Sequence, residues 1–473
     1  MSVIRQLYGR PHALLTDFYQ LTMAYAHWRA ADPEREAVFN LTFRKAPFDG
    51  RFVIAAGLDA ALEYLADFRF GDDDIAYLGS LEDAAGQPMF PDDFLEYLRG
   101  LRFEGDLDAV PEGTAVFPHE PILRVRAPVL QAQMLETALL NLVLFPTLVA
   151  TKAARMVHAA GDGAVLDFGL RKAHGIDGGV TAARAAYLGG CAATANVLAG
   201  RLFGIPVKGT HAHGWVMAFD DELEAFDRYA EAMPDNCIFL VDTYDSRAGI
   251  ENAIAAGRKL RERGHEMVGI RLDSGDLGEL AAHARRRLDE AGFPDARIAA
   301  SSDLDEHRIA GLRRAGAPIA IWGVGTKLDT AQPDSALDGV YKLTAIRSPD
   351  GGAWEPRIKL SDTEAKHTNP GIQQVRRYRR GDRPLADVIH DVGDIGADVA
   401  ATAGDIPADA AAEDLLVPML RAGEPVYEAP PLDRVREAAM AEFASFAALD
   451  DYPVRLDAPL AAERRRLRTA LGG

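Results

Sequence analysis

Short apolar runs that end in polar residues recur through the middle of the chain. They stop at six points, namely Asp167, Thr210, Asp242, Arg271, Ser301 and Gly323. Residues 247–263, 277–291 and 305–315 have the apolar spacing of amphipathic helices and lie between several of these runs. This alternation predicts repeated βα units, and six such units predict an α/β barrel, possibly of irregular form.

The clearest βα unit covers residues 165–219. Its first apolar run ends in Asp167-Phe168-Gly169-Leu170-Arg171, and its second ends in Gly209-Thr210-His211-Ala212-His213. A glycine-rich turn and an alanine-rich segment at 181–198, predicted to be helical, separate the two runs. In α/β barrels and open α/β sheets the chemistry lies at the carboxyl ends of the strands. We therefore expect the active site where these polar residues collect.

The flanking regions have other patterns. Residues 14–29 have a helical period with Thr16 or Asp17 as N-cap, and residues 37–43 alternate like a strand. Proline-punctuated strands at 113–129 mark a boundary, and the barrel pattern stops after residue 343. The predicted domains are therefore 1–128, the barrel at 129–343, and 344–473. Within the last, the Ala/Asp-rich residues 397–414 predict an acidic connection.

Composition narrows the functional classes. Among 473 residues, 52 Lys and Arg face 71 Asp and Glu, which gives a net charge of −19. Such an acidic chain is a poor candidate for binding nucleic acid or anionic membranes non-specifically. Cys191 and Cys237 form no disulfide framework, and we find neither a signal peptide nor a transmembrane run. The expected location is the cytoplasm.

Phe168 and Arg171 offer a flat ring and a fixed cation at the first strand end. Together they could stack on a planar ring and hold an anionic group. The alternative is a core phenylalanine and an arginine in a surface ion pair. The residues alone leave both open.

His211 and His213 are two residues apart, so in extended chain both point to the same side. Clustered imidazoles could serve as metal ligands, as a base or as a nucleophile. The alternative for one of them is a structural histidine with its hydrogen bonds satisfied.

Carboxylates and one arginine follow at the next two strand ends. Asp242, Arg271 and Asp273 lie where the strands stop, and clustered carboxylates could hold Mg²⁺ or stabilise a developing cation. The alternative is N-capping of the following helices, which we assign to Asp245, Ser246 and Asp276.

Gly323, Gly325 and Thr326 form a glycine-rich end after the last apparent strand. Its backbone N–H groups could cradle a phosphate. The chain has no Walker loop, so ATP, if used, is held in another way.

Taken together, these stretches resemble the nicotinate phosphoribosyltransferase family over most of the chain. The similar stretches, in order, are LLTDFYQLTMA, VFNLTFRK, DFGLRKAHGIDGG, GTHAHGWVMAF, VDTYDS, GIRLDSGDL, GVGTKL and GVYKL. The resemblance implies an irregular α/β barrel with a second α/β sandwich domain built from N-terminal and post-barrel segments. It also implies a homodimer with shared active sites, and ATP-coupled transfer of phosphoribosyl from phosphoribosyl pyrophosphate to nicotinate, with Mg²⁺.

Residue roles follow from the resemblance. It implies that His213 is phosphorylated by ATP and that Thr210 and His211 lie near the nicotinate. Phe168 would stack on the pyridine ring, with Tyr19 supplied by the neighbouring subunit. The further implied roles are Arg271 for the nicotinate carboxylate and Arg171 for a phosphate (or the reverse), Asp242 and Asp273 for the ribose and the Mg²⁺-bound pyrophosphate, and Gly323, Gly325 and Thr326 for the 5′-phosphate.

Four other functions stay open. Similar enzymes that use nicotinamide carry a carboxylate right after the Gly-Thr pair, whereas this chain has His211, which favours the free acid over nicotinamide. Quinolinate is the other alternative substrate, and an assay would distinguish it from nicotinate. A metal-dependent barrel hydrolase would need further histidines at later strand ends, and a catalytically inactive binding protein would not need six polar strand ends. Ser301 departs from the family pattern, so we leave it out of the site.

Overall fold

The structure is a computed structural model that describes residues 12–30, 33–360, 368–393, 406–407 and 409–472. The chain divides into two compact units. The first combines Met1–Leu148 with Ala336–Gly473, and the second is Val149–Ser335. These limits differ from the domain boundaries expected at 128/129 and 343/344. The expected division into functional domains stays a prediction.

The N-terminal part of the first unit alternates short helices and strands. Its strands are β1 (Glu36–Phe43), β2 (Val53–Ile54), β3 (Asp106–Ala109), β4 (Ala115–Val116) and β5 (Leu123–Pro128). Its helices are α1 (Phe18–Arg29), α2 (Leu58–Ala66), α3 (Asp72–Gly79), α4 (Asp92–Gly100), α5 (Val129–Met134) and α6 (Glu136–Ala160), of which α6 continues into the second unit. The predicted first helix and first strand are confirmed, with Asp17 at the N-cap position.

The second unit contains the predicted βα repeats. Its strands are β6 (Ala164–Asp167), β7 (Ala193–Thr194), β8 (Ile238–Leu240), β9 (Gly269–Leu272), β10 (Arg297–Ala300) and β11 (Ile321–Val324). Its further helices are α7 (Gly175–Leu188), α8 (Val197–Phe203), α9 (His213–Val216), α10 (Glu222–Ala232), α11 (Ser246–Glu262), α12 (Leu277–Glu290), α13 (Glu306–Arg314) and α14 (Thr326–Asp329). Asp245 and Asp276 cap α11 and α12 as predicted, whereas Ser246 is the first helical residue.

The C-terminal part returns to the first unit. It supplies β12 (Gly339–Arg347), β13 (Glu355–Pro356), β14 (Gln373–Arg380), β15 (Arg383–Asp391), β16 (Ala411–Asp414), β17 (Val417–Arg421), β18 (Glu424–Pro425) and β19 (Val454–Leu456), with helices α15 (Leu432–Ala447) and α16 (Ala458–Ala470). Most of the predicted acidic connection at 397–414 lies outside the described residues. Its last four residues form β16 instead.

The two parts of the first unit are joined through one sheet in the order β13-β12-β1-β5-β3-β17-β18. Within it, β1 pairs antiparallel with β12, from Glu36 opposite Arg347 to Phe43 opposite Gly339. A second sheet has the order β16-β14-β15-β19, and β2 pairs with β4. In the second sheet the guanidinium of Arg377 is fully buried against Asp387 and Glu442, so its charge is paired where water cannot reach it.

In the second unit all strand pairs are parallel, in the order β7-β6-β11-β10-β9-β8. Next to β7, Thr194 exchanges backbone hydrogen bonds with Pro206 and Lys208, at 3.0 and 3.1 Å. The other edge, β8, is reached by a side chain, because Leu240 N donates to His211 Nε2 at 3.2 Å. The segment 206–211 therefore lies between the two edge strands. The irregular α/β barrel, with a second α/β domain from N-terminal and post-barrel segments, is confirmed.

Two details of the barrel prediction are wrong. The alanine-rich helix ends at Leu188 rather than 198, because Gly189 and Gly190 turn the chain and β7 follows. A Cβ at Gly189 would lie 2.3 Å from Ala150 O, so only glycine fits this turn. The strand expected to end at Thr210 is reduced to a single bridge between Val207 and Thr194.

Helix α6 is long and apolar enough to cross a membrane by length and composition alone. Of its most apolar window, however, 67% is buried inside the protein. Core helices of soluble proteins have the same character, so α6 is weak support for a membrane span.

Candidate active site

The ends of β6 and β11 hold Phe168 in place. Its backbone N–H donates to Val324 O at 2.6 Å, and a Cβ at Gly323 would lie 2.8 Å from two carbons of its ring. The ring therefore rests on the bare backbone of Gly323. A Cβ at Gly325 would lie 3.3 Å from the Phe168 carbonyl oxygen. The glycines of this strand end are thus required, at least in part, by Phe168.

His213 is the first residue of α9, and its side chain is 40% exposed. Its Nδ1 lies 3.2 Å from Thr243 Oγ1, and its Nε2 lies 3.6 Å from Asp273 Oδ2. A carboxylate facing Nε2 favours a proton on that nitrogen, and the threonine hydroxyl can then donate to Nδ1. The imidazole is accessible, and polar groups orient it from both sides.

The carboxylate of Asp242 is bonded to the backbone of Asp273. Asp242 Oδ2 accepts from Asp273 N at 3.0 Å and from Ser274 Oγ at 2.5 Å. Its other oxygen, Oδ1, is buried and has no hydrogen-bond partner among the described residues. Asp273 Oδ1 accepts from the hydroxyl of Ser301. The site therefore includes Ser301, which the sequence reasoning left out, and Thr243, which it did not single out.

Arg271 and Thr210 are in direct contact. Arg271 Nη1 donates to Thr210 Oγ1 at 2.6 Å, while its Nε is buried without a partner among the described residues. Burial lowers the pKa of Arg271, and the positive charge of Arg171 acts in the same direction, against Asp273 and Asp242. Two guanidinium groups close enough to repel each other form a favourable place for an anion.

His211 differs from His213 in its surroundings. The expectation that both face the same side of an extended chain is wrong, because α9 begins at His213. The His211 ring is 7% exposed, lies 4.9 Å from the ring of Tyr229, and accepts the hydrogen bond from Leu240. Burial lowers its pKa to about 4. It is therefore neutral near pH 7, and its role at the substrate stays a prediction.

Tyr19 lies on α1, in the first unit, and is 47% exposed. The remaining predicted side chains lie in the second unit. Thr326 opens α14 directly after Gly325. The described residues contain no group of three or more His, Cys, Asp or Glu side chains arranged to hold a metal ion.

Comparisons with known proteins show which proteins the chain is similar to. Residues 14–144 match the family described as nicotinate phosphoribosyltransferase (NAPRTase) N-terminal domain. The chain is 50% identical over 366 residues to nicotinate phosphoribosyltransferase of Bacillus subtilis, covering 77% of this chain and 73% of that protein. It is 41% identical over 476 residues to a nicotinate phosphoribosyltransferase of Mycobacterium tuberculosis, covering 99% and 96% of the two chains. The crystal structure of human nicotinic acid phosphoribosyltransferase matches with a TM-score of 0.80 and 32% identity, covering 96% of this chain and 99% of that one.

Proposed function

Because this chain belongs to the nicotinate phosphoribosyltransferase family, we propose that it is an enzyme of NAD salvage that makes nicotinate mononucleotide. It joins nicotinate to phosphoribosyl pyrophosphate, releases pyrophosphate, and couples the reaction to hydrolysis of ATP to ADP and phosphate. The observation that carries the proposal is the meeting of Arg271, Thr210, Asp273 and His213 at neighbouring strand ends. These groups supply the cation, the carboxylate and the imidazole that the reaction needs.

The pyridine substrate has a ring and a carboxylate. Phe168 offers a face of its ring at the end of β6, and Arg271 has a buried Nε that no described residue uses. A guanidinium binds a carboxylate through two parallel hydrogen bonds, which a neutral amide cannot match. This favours nicotinate over nicotinamide. Arg171 is then available for a phosphate, and Tyr19 of a neighbouring subunit is proposed to cover the other face of the ring.

Transfer breaks the bond between the ribose anomeric carbon and pyrophosphate, and the pyridine nitrogen forms the new bond. The anomeric carbon gains positive charge on the way, and the carboxylates of Asp242 and Asp273 stabilise it. Gly323, Gly325 and Thr326 are proposed to receive the 5′-phosphate. Backbone N–H groups at this strand end would donate to the phosphate oxygens.

His213 is proposed to accept the γ-phosphoryl group of ATP. A phosphorus–nitrogen bond forms at the imidazole as the bond to ADP breaks, and the phosphate is later released to water. The 40% exposure of the side chain leaves room for this transfer, and Asp273 and Thr243 hold the ring in one orientation. The added negative charge then changes the affinity of the site for phosphorylated ligands.

Mg²⁺ fits the same carboxylates. Asp242 Oδ1 is buried without a protein donor, and carboxylate oxygens with phosphate oxygens are the ligands that Mg²⁺ prefers. Asp242 and Asp273 would hold the ion, which when bound neutralises charge on the departing pyrophosphate. We further propose a homodimer with shared active sites and a cytoplasmic location.

The assay that tests this function follows pyrophosphate release from phosphoribosyl pyrophosphate and Mg²⁺. Nicotinate, nicotinamide and quinolinate are compared, each with and without ATP. Turnover with nicotinate that rises with ATP supports the proposal, and turnover with another pyridine reassigns the substrate. No turnover with any of the three refutes it. A metal analysis of the purified protein tests the alternative of a metal-dependent hydrolase, because that function requires zinc bound at His211 and His213.

A further inference from the structure

Two carboxyl groups lie buried together beneath Phe168. Asp167 ends β6 and Asp329 ends α14, and their exposed fractions are 2% and 0%. The two side chains are within hydrogen-bonding reach of each other. The Asp329 carboxyl packs directly on Gly169, where a Cβ would lie 2.2 Å from Asp329 Cγ. Neither carboxyl has a place in the reaction described above.

The hydrogen bonds determine which carboxyl carries a proton. Asp167 Oδ1 accepts from Gly169 N at 2.8 Å, and Oδ2 accepts from Thr194 Oγ1 at 2.6 Å. The Thr194 hydroxyl itself accepts from Asn196 N, so its proton is directed at Asp167. Asp167 is thus an acceptor at both oxygens, which suits the ionised form.

Asp329 has the opposite surroundings. Neither of its oxygens has an N–H or hydroxyl donor among the described residues. Two ionised carboxylates in this position would be uncompensated charges in the interior. Burial first, and the charge of Asp167 second, raise the pKa of Asp329 to about 9. As a neutral acid, Asp329 can donate its proton to Asp167 and satisfy both groups.

The elements packed against α14 carry several other titratable side chains. Helix α7 and the turn Leu170–Lys172 pack against α14. Their titratable side chains are Arg171, Lys172, Asp177, Arg184 and Tyr187; His174 lies between the two elements, and α14 itself also carries Lys327. Lys327 is paired with Asp305 at 2.8 Å. Among the charged groups of the described residues, Asp167 alone contributes to the raised pKa of Asp329.

The Asp167–Asp329 pair connects the turn that carries Phe168 with the segment at 323–326. Asp167 and Gly169 lie on either side of Phe168 in the chain, and Asp329 ends α14, the short helix that begins at Thr326 directly after Gly325. The ring of Phe168 rests on Gly323. A hydrogen bond between the two carboxyls therefore fixes the distance from the stacking ring to the loop at 323–326.

We propose that Asp329 is a positioning residue that, as a neutral acid, donates a hydrogen bond to Asp167 and holds the Phe168 turn against the loop at 323–326. The catalytic part of this inference rests on the proposed function, because it takes Phe168 to bind the pyridine. The proton bridge itself does not depend on that function.

The test compares Asp329→Asn with Asp329→Ala, and Asp295→Asn, an exposed position in the same unit, is the control. Asparagine keeps the size and donates an N–H to Asp167 without titrating. We expect D329N to keep the KM for nicotinate within about twofold, and D329A to raise it about tenfold by removing the bond. Equal KM values for D329N and D329A would overturn the positioning role.

A second readout uses no substrate. Above pH 4 an unfolded Asp329 has lost its proton, whereas the folded protein keeps it up to about pH 9. The unfolding free energy of the wild type therefore falls as pH rises through this window. Relative to D329N, the unfolding constant of the wild type should increase by up to tenfold per pH unit between pH 5 and 8.5 in urea titrations. Parallel pH profiles would overturn the proton bridge.

Hydrogen exchange of a peptide spanning residues 164–172 completes the test. D329A should lose protection there, D329N should keep it, and D295N should match the wild type. If the protein turned over no pyridine, the proposed function would fail. The pH profile and the exchange pattern would still decide whether Asp329 bridges and positions the turn, and unchanged exchange in D329A would refute it.

Discussion

His211 Nε2 accepts the backbone N–H of Leu240 at 3.2 Å, so an imidazole replaces a strand in closing the barrel next to β8. The bond requires an unprotonated Nε2, because a protonated imidazole has no acceptor. His213, whose side chain is 40% exposed, lies two residues further along. His211 thus belongs to the wall of the barrel, and His213 belongs to its open end.

Acid should weaken the protein through His211. The unfolded residue binds a proton below about pH 6.5, whereas the folded residue resists until about pH 4. The folded pKa is the lower one, so this stability is present above pH 6.5 and decreases as pH falls toward 4. The loss is up to about 1.4 kcal/mol per pH unit. Urea unfolding at pH 7.5 and 5.0 measures it, with His211→Gln as the non-titrating variant. Equal pH dependence in both proteins would contradict this assignment.

Ser301→Ala should impair the reaction without unfolding the protein. The hydroxyl holds one oxygen of Asp273 while the other faces His213. Without it, the carboxylate is free to rotate, and we expect the ATP-stimulated rate to fall about tenfold. Ser445→Ala is a suitable control because its hydroxyl also makes one hydrogen bond, to Glu442 O at 2.8 Å. Loss of the same size in both variants would indicate general destabilisation.

Gly323→Ala should act through Phe168. The new methyl would lie 2.8 Å from the ring carbons, so the ring must move. We expect a higher KM for nicotinate, by roughly tenfold. Gly311→Ala is the matched control. A Cβ at Gly311 meets nothing within 4 Å inside α13, and alanine there should add about 0.5–1 kcal/mol of stability. An unchanged KM in Gly323→Ala would show that the ring is not used.

Arg271→Lys separates two roles for the guanidinium. Lysine keeps the charge but loses the fork that binds a carboxylate through two bonds. If Arg271 holds nicotinate, Arg271→Lys raises the KM for nicotinate by a larger factor than the KM for phosphoribosyl pyrophosphate. Arg171→Lys then raises the KM for phosphoribosyl pyrophosphate by the larger factor. Thr210→Val controls for loss of the 2.6 Å bond alone. A larger effect of Arg271→Lys on phosphoribosyl pyrophosphate would exchange the two assignments.

Much of the barrel could be predicted because polar residues replace apolar ones where a buried strand ends. Asp167, Asp242, Arg271 and Gly323 all lie at or next to such an end. Strand β7 was not predicted because it has only two residues, which is too few to show a hydrophobic period. Its position depends on the glycine turn before it and on Pro206 to Lys208 after it.

Side-chain partners were harder to predict than strand ends. From the sequence, His211 was predicted to be a site residue because it lies close to His213. Its place in the barrel wall is known only from the hydrogen bond with Leu240 in the structure. Ser301 and Asp329 give no local signal, since a serine after a strand and an aspartate after a helical turn are ordinary choices. Their importance comes from Asp273 and Asp167, which are distant in sequence.

The pairing of β1 with β12 has a consequence for synthesis. The ribosome makes Glu36 about 300 residues before its partner Arg347, and the whole barrel unit emerges between them. We expect the barrel to reach its folded form first, because its segment is continuous, while the first unit waits with the edge of β1 uncovered. A chain that ends at residue 338 and has left the ribosome would therefore carry a protease-resistant barrel and a protease-sensitive N-terminal region.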